Sequence, residues 1–207
     1  WLVDELGLSG AAVAVEDAAA PVAPTSDALN ADTLMQAMAA LLPDHAILVD
    51  ESVSSGRSLF KFTDGAAPHD YLQITGGSIG SGLPMATGAS VACPDRKVIC
   101  FEGDGSGMYT LQALWTQARE HLDVVTVILA NRSYRILHGE LAGVGIANPG
   151  EQAHRMLDLS APELDWVALA RGQGVEARRV DTVAGFADAF RAACAAKGPF
   201  LIEAVIP

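Results

Sequence analysis

Apolar positions along this chain come in short continuous runs, and the stretches between them repeat their apolar residues at helical spacing. The first helical stretch carries Leu34, Met35, Met38, Leu41 and Leu42 on one face, with Asn30 placed to cap it and Pro43 to close it. AILVDE (46–51) then predicts a buried strand, and Ser52 is placed to cap the next helix. The alternation continues through strand YLQIT (71–75), a helix from about Leu83, strand KVICFE (97–102) and a helix to about His121. Strand VVTVILA (124–130) is followed by a long loop and a helix around ELDWVALARGQG (163–174); VEARRV (175–180), a helix over 183–196 and strand FLIEAVI (200–206) complete the pattern. Apolar strands that alternate with helices imply a parallel sheet covered on both faces. The expected fold is α/β, a doubly wound, mostly parallel six-stranded sheet with helices on both sides.

The first 28 residues break this pattern. WLVDELGLSG reads as the end of an amphipathic helix stopped by glycine, and residues 11–28 are rich in Ala and Pro without a sustained period. The expected organisation is therefore the end of a preceding domain and a linker over 1–28, then one domain over 29–207. A first residue Trp1 and this linker mark the chain as a piece of something longer.

Composition narrows the partners. A net charge of −12 over 207 residues leaves no basic stripe for nucleic acid and no polybasic patch for a membrane surface. No apolar run approaches the roughly 20 residues that cross a bilayer. Cys93, Cys100 and Cys194 are odd in number and lack C-x-x-C spacing, as expected of reduced residues in a cytoplasmic protein.

The chemistry sits where strands end. In open α/β sheets ligands bind at the carboxyl ends of the strands, and three of those ends here read GGSIGSGLP, GDGSG and NRSY. Asp104 lies in a glycine turn of the kind that cradles phosphate with backbone N–H groups, where a carboxylate should repel its ligand. The turn is not a dinucleotide fingerprint, because Met108 stands where the third glycine belongs, and no Gly-Lys-Ser/Thr of a P-loop is present. Asp104 beside phosphate makes sense if a divalent cation lies between them, since Mg²⁺ takes carboxylate, amide, phosphate and water oxygens together. Asn131, at the end of the next strand, can add an amide oxygen, and a helix beginning near Ser106 can aim its N–H groups at the diphosphate. Taken singly, Asp104 could be a turn or cap residue and Asn131 a strand-end turn residue; their pairing at two successive strand ends favours the metal.

Gly103-Asp104-Gly105, then 25 residues, then Asn131 resembles the signature of thiamine diphosphate enzymes. From about residue 30 to 207 the chain is similar to the C-terminal, diphosphate-binding domain of the acetolactate synthase and benzoylformate decarboxylase group. That resemblance implies Mg²⁺ ligation by Asp104, Asn131 and the main-chain oxygen of Ser133, with Gly103, Gly105 and Ser106 along the diphosphate and Ser54 as a further contact. In GGSIG it implies that the carbonyl of Gly77 accepts from the aminopyrimidine amine, with Ser78 beside it. The Ile79 N–H would meet a ring nitrogen, while its side chain wedges the cofactor into a bent shape. Tyr134 would lie beside the diphosphate or simply pack.

The chain departs from the group at several points. Val53 stands where some relatives carry a hydroxyl, and Ala130, Arg132 and Arg135 replace residues of the commoner NNGxYG pattern, which leaves the loop's conformation open.

The resemblance also implies what this chain lacks. The glutamate that activates the cofactor belongs to an N-terminal pyrimidine-binding domain, so no catalytic residue is expected here and the fragment alone should be inactive. Glu51 and Glu102 read as structural carboxylates; His69, His138 and Glu140 could border a substrate pocket or be solvated. The expected whole is a 2-keto acid decarboxylase or carboligase, most like an acetolactate synthase large subunit, assembled as a homodimer or homotetramer with the pyrimidine-binding domain of a neighbouring subunit completing the site. A benzoylformate decarboxylase-type enzyme and a non-catalytic cofactor-binding module are the alternatives.

Overall fold

The computed structural model describes residues 2–7 and 18–207. Residues 11–17 of the linker reading, residues 8–10 and Trp1 lie outside the described residues. A short helix α1 (Leu2–Glu5) precedes the main body.

The body is a six-stranded, all-parallel sheet of β1 (Ala46–Glu51), β2 (His69–Gln73), β3 (Val98–Gly103), β4 (Val124–Ala130), β5 (Glu176–Val180) and β6 (Phe200–Val205). Its strand order is β2-β1-β3-β4-β6-β5. The connections that leave β1 and β3 run in opposite directions, so a crevice opens between the carboxyl ends of these two strands.

Alternate residues of each central strand feed two cores. Leu48, Ile99, Phe101 and Val127 pack with α2 (Ala31–Ala39), α3 (Leu59–Thr63) and α9 (Val183–Ala195). Ile47, Val49, Val98 and Ile128 face α4 (Gly82–Ala92), α5 (Ala113–Arg119) and α8 (Trp166–Gly172). Burial on both faces is why these strands read as continuous apolar runs. The doubly wound expectation holds. Among the described residues no helix is long and apolar enough to cross a membrane.

Local chemistry explains the helix starts. Asn30 caps α2 in a box with Thr33, each side chain bonding the other's backbone N–H at 3.0 Å. Three residues before Asn30, Asp27 accepts the N–H groups of Val183 at 3.0 Å and Ala184 at 2.8 Å at the start of α9.

Four expectations change. Ser52 caps no helix: its N–H and hydroxyl are both taken by Asp50, and α3 begins only at Leu59. Strand β2 starts two residues earlier than its apolar residues suggest, because it is an edge strand and burial does not set its limits. The segment after the GDG turn is a 3₁₀ turn over Gly107–Tyr109, with helix α5 delayed to Ala113, so no helix begins near Ser106. The loop after Asn131 contains two helices, α6 (Arg135–Gly143) and α7 (Glu151–Leu157).

Candidate active-site half

Four loops meet at the carboxyl ends of β1, β2, β3 and β4. The first follows β1. Asp50 accepts the Ser52 N–H at 2.9 Å and the Ser52 hydroxyl on one oxygen, and the Tyr71 hydroxyl on the other. Burial first, and then this bond to Asp50, drive the Tyr71 hydroxyl above its ordinary range. The clasp fixes the turn that follows, where Val53 takes a left-handed φ of 48°, a costly conformation for a β-branched residue.

The second loop, 76–82, is held from below by Glu51. Its carboxylate accepts the N–H groups of Gly80 and Gly82 and, at 3.1 Å, the Ser81 hydroxyl. Behind it Glu102 accepts the Ser106 hydroxyl and, at 3.1 Å, the Gly103 N–H, while its second oxygen has no hydrogen-bond partner. A β-carbon on Gly82 would lie 2.5 Å from that oxygen and 3.1 Å from a Glu51 oxygen, so the two carboxylates converge under the start of α4. Burial, followed by the charge on Glu51, holds Glu102 well above the ordinary carboxylate range. Neither glutamate lines the hollow above them. Both hold the frame.

The third element is the pair of loops after β3 and β4. Asp104 is buried, and its Oδ2 accepts the Arg132 N–H at 2.6 Å. Burial pushes its pKa up to about 6, against the opposing pull of the Arg132 and Gly105 N–H groups. Asn131 accepts the Ser133 N–H on Oδ1 at 2.9 Å and donates from Nδ2 to the Ser55 hydroxyl at 3.2 Å. Arg132 adopts the left-handed conformation, φ 56°, that a glycine would take there. The loop is then pinned to the end of α7, with Tyr134 N–H bonded to Leu157 at 2.9 Å and Leu159 N–H to Arg132 at 2.9 Å.

A hollow of about 70 Å³ lies where these loops meet. Nine of the residues named from the sequence line it: Ser54, Ile79, Gly103, Asp104, Gly105, Ser106, Asn131, Ser133 and Tyr134. Gly77 lines instead an adjoining hollow of about 440 Å³ together with Arg57, Phe60 and Tyr71, and Ser78 is exposed on the turn between them. Ile79 is 40% exposed at the rim, whereas Leu83 is fully buried in the core beneath. His69 lies at the opposite end of the sheet, where β2 begins, and shares a separate hollow with Arg96. His138 stands 5.8 Å from His154 between α6 and α7, and Glu140 borders the apolar groove there.

Sequence reasoning passed over Ser55 and Ile136 and named Arg135 only as a departure from the commoner loop pattern. Arg135 and Ile136 line the hollow because α6 begins in the stretch read as loop; Ser55 was one serine among several after β1, and only folding shows that it meets Asn131.

The donors available suit one class of ion. Among the described residues no three His, Cys, Asp or Glu side chains gather into a metal site, so zinc and copper have no ligand set. One buried carboxylate, one amide oxygen and one main-chain oxygen fit a hard divalent cation that draws its other ligands from phosphate and water. A carboxylate kept protonation-prone by burial also gains from a nearby cation.

Comparison with known proteins identifies the family. Residues 54–204 match the family model "Thiamine pyrophosphate enzyme, C-terminal TPP binding domain". The chain is 51% identical over 207 residues to the Mycobacterium tuberculosis protein named "Putative acetolactate synthase large subunit IlvX", covering all of this chain and 40% of that protein. It is 36% identical over 176 residues to benzoylformate decarboxylase of Pseudomonas aeruginosa, covering 84% of this chain and 32% of the enzyme. The solved thiamine diphosphate-dependent 4-hydroxybenzoylformate decarboxylase of Rhodococcus jostii superposes with a TM-score of 0.79 at 35% identity, over 93% of this chain and 35% of that one. The chain thus spans at most 40% of the length of these relatives. A sheet that opens between β1 and β3, a glycine–aspartate turn at that opening and a match over 54–204 make this chain a member of the thiamine pyrophosphate enzyme C-terminal, cofactor-binding domain family.

Proposed function

We propose that this chain is the metal- and diphosphate-holding half of the active site of a thiamine diphosphate- and Mg²⁺-dependent enzyme acting on 2-keto acids. One observation carries the reading: Asp104, Asn131 and Ser133 line one hollow, with Ile79 at its rim. In this reading Asp104, the Asn131 amide oxygen and the Ser133 carbonyl hold Mg²⁺. Gly105, Ser106 and the Ser54 hydroxyl face the diphosphate. Ile79 supports the bent cofactor, and the Gly77 carbonyl takes a hydrogen bond from the aminopyrimidine. When bound, the cofactor supplies the electron sink for breaking the bond between a keto acid's carbonyl carbon and its carboxylate.

The activating carboxylate has no candidate in the hollow, since Glu51 and Glu102 are committed to the frame. It belongs in this reading to the pyrimidine-binding domain of a neighbouring subunit in a homodimer or homotetramer. The 51% identity to an acetolactate synthase-type protein supports a carboligase, with a small keto acid as substrate. A benzoylformate decarboxylase-type reaction is the second reading, supported by the 35% identity to the Rhodococcus enzyme across nearly the whole chain. Free Cys93, Cys100 and Cys194 are consistent with a cytoplasmic setting.

Calorimetric titration of the 207-residue chain with thiamine diphosphate and Mg²⁺ tests the binding half. Binding that depends on Mg²⁺ and is lost in Asp104→Ala is expected; binding indifferent to both overturns the assignment. A product assay on the enzyme that contains this chain, with pyruvate, 2-ketobutyrate and benzoylformate, separates the two reactions. The chain alone is expected to release no CO₂, and steady release would show that it is more than half a site.

A further inference from the structure

An asparagine amide has two ends of nearly the same size, but only the oxygen has lone pairs to offer a cation; the NH₂ end only donates. A metal-ligating asparagine therefore needs its amide held. In this structure Asn131 is held at both ends. Its Oδ1 accepts the Ser133 N–H at 2.9 Å, a local contact two residues away that leaves one oxygen lone pair free. Its Nδ2 donates to the Ser55 hydroxyl at 3.2 Å, across the crevice from the loop that follows β1.

These two anchors differ in kind. Ser133 belongs to the same loop as Asn131, so that contact travels with the loop. Ser55 belongs to the opposite wall. It is buried, its N–H is bonded to the Ser52 carbonyl at 3.1 Å, and Ser52 is itself clasped by the buried Asp50. Asp50 in turn takes the Tyr71 hydroxyl from the edge strand. The Ser55 hydroxyl is thus a fixed point set by β1 and β2, and it sets the rotation of an amide at the end of β4.

We propose that Ser55 is a positioning residue for the cation: it locks the Asn131 amide so that its oxygen stays turned toward Asp104 and the diphosphate. The inference rests on the reading of Asp104 and Asn131 as metal ligands. It adds a residue that touches neither metal nor cofactor, and it assigns the Asp50–Ser52–Tyr71 clasp a purpose in the binding site. Outer partners of metal ligands are commonly worth 10–100-fold in metal affinity, and the effect expected here is about tenfold.

The test uses the 207-residue chain with Mn²⁺ as probe and thiamine diphosphate at saturation. Bound Mn²⁺ is read by electron paramagnetic resonance and fold integrity by thermal unfolding without metal. Ser55→Ala is expected to weaken Mn²⁺ binding about tenfold while the metal-free unfolding midpoint moves by only a few degrees. Ser55→Thr, which keeps the hydroxyl, is expected to restore binding to within about twofold of wild type, a rescue that loss of packing would not show. Wild-type affinity in Ser55→Ala, with binding abolished in Asp104→Ala, overturns the role of Ser55 and leaves the metal site standing. Equal weakness in Ser55→Ala and Ser55→Thr also overturns it, because the hydroxyl would then be irrelevant. Unchanged Mn²⁺ binding in Asp104→Ala, or none in the wild-type chain at millimolar Mn²⁺, overturns the site reading itself. Should Ser55→Ala not fold, Ser55→Cys keeps the shape of the side chain, slightly enlarged, and weakens the acceptor; wild-type affinity there overturns the inference.

Discussion

Two glycine-rich loops border the hollow, and they need glycine for different reasons. In 76–82, Gly77 has φ 69° and a β-carbon there would meet nothing within 4 Å. In 103–107, Gly105 has no positive φ, but its β-carbon would lie 2.5 Å from Cε1 of Tyr134. Gly77 needs backbone freedom and Gly105 needs room. The supports of the two loops differ accordingly. The first is a bent backbone hung on one carboxylate, Glu51; the second is wedged between side chains, with Tyr134 against Gly105 and Trp166 against Gly107. A turn that must let a ligand's phosphate come close gains from the second design, since side chains packed against its glycines help to fix it. The loop that carries Ile79 gains from the first, which lifts an apolar side chain to 40% exposure over a buried anchor.

Removing the anchor is the strongest way to break this contrast. Glu51→Ala leaves the N–H groups of Gly80 and Gly82 without their acceptor, while the Ser81 hydroxyl keeps the Ser78 carbonyl at 3.1 Å; an unsatisfied buried donor costs about 1–3 kcal/mol. A loss of about 3 kcal/mol in urea unfolding is expected. Glu51→Gln is expected to recover little, because both oxygens are in use and an amide nitrogen would face the N–H of Gly80 or Gly82. A loss below about 1 kcal/mol, less than one such hydrogen bond is worth, would show that the first loop stands without its carboxylate.

Alanine at the two glycines sharpens the same comparison. Gly105→Ala forces the Tyr134 ring aside, an overpacking cost of about 2 kcal/mol. In a Tyr134→Ala background that cost is expected to fall below about 0.5 kcal/mol, a coupling expected only of residues in contact. Gly77→Ala has no neighbour to strike, and its cost of about 1 kcal/mol comes from the left-handed backbone alone. No deletion of a neighbouring side chain should relieve it. If the double mutant Gly105→Ala/Tyr134→Ala is as unstable as the sum of its parts, space is not what the second loop requires.

Much of this frame is legible in the sequence because burial writes it there. β4 is buried at all seven positions and reads as VVTVILA, and the central strands β1 and β3 read almost as clearly. The strand ends carry the candidate site residues, so Asp104 and Asn131 could be paired before any fold was known. Where contacts across the chain decide, sequence falls silent. Ser52 looks like a helix cap, yet the nearer acceptor Asp50 captures it. Helices α6 and α7 hide because their apolar residues face each other rather than the sheet: Leu137, Leu141, Val144 and Met156 line a groove of their own, and Gly139 and Gly143 lower helix propensity within the first. The turn after Asp104 defeats the helix expectation because Gly107 sits against Trp166, from a helix much later in the chain. Arg132 is a further case, since an arginine gives no sign that the backbone beneath it is left-handed.

That arginine yields the smallest effect. By conformation the loop after β4 belongs with the first loop: Arg132 has φ 56° and its N–H is spent on Asp104 at 2.6 Å. Glycine keeps that N–H and removes the left-handed penalty, about 1–2 kcal/mol for a residue with a side chain. Two losses oppose the gain. Glycine adds freedom to the unfolded chain, about 0.4–1 kcal/mol. The Arg132 guanidinium also lies 3.9 Å from Glu163, but both side chains are 41% exposed and such a pair is worth about 0–1 kcal/mol at most. Glu163 in any case keeps a closer partner in Arg179 at 2.6 Å. Arg132→Gly is therefore expected to stabilise the chain by about 0.5 kcal/mol, read as a higher urea midpoint with unchanged slope, while Arg132→Ala is expected to gain nothing because it keeps the strain. If glycine destabilises this position as much as alanine does, the left-handed turn carries no penalty here, and the loop is fixed by its side chain like the second loop rather than by its backbone like the first.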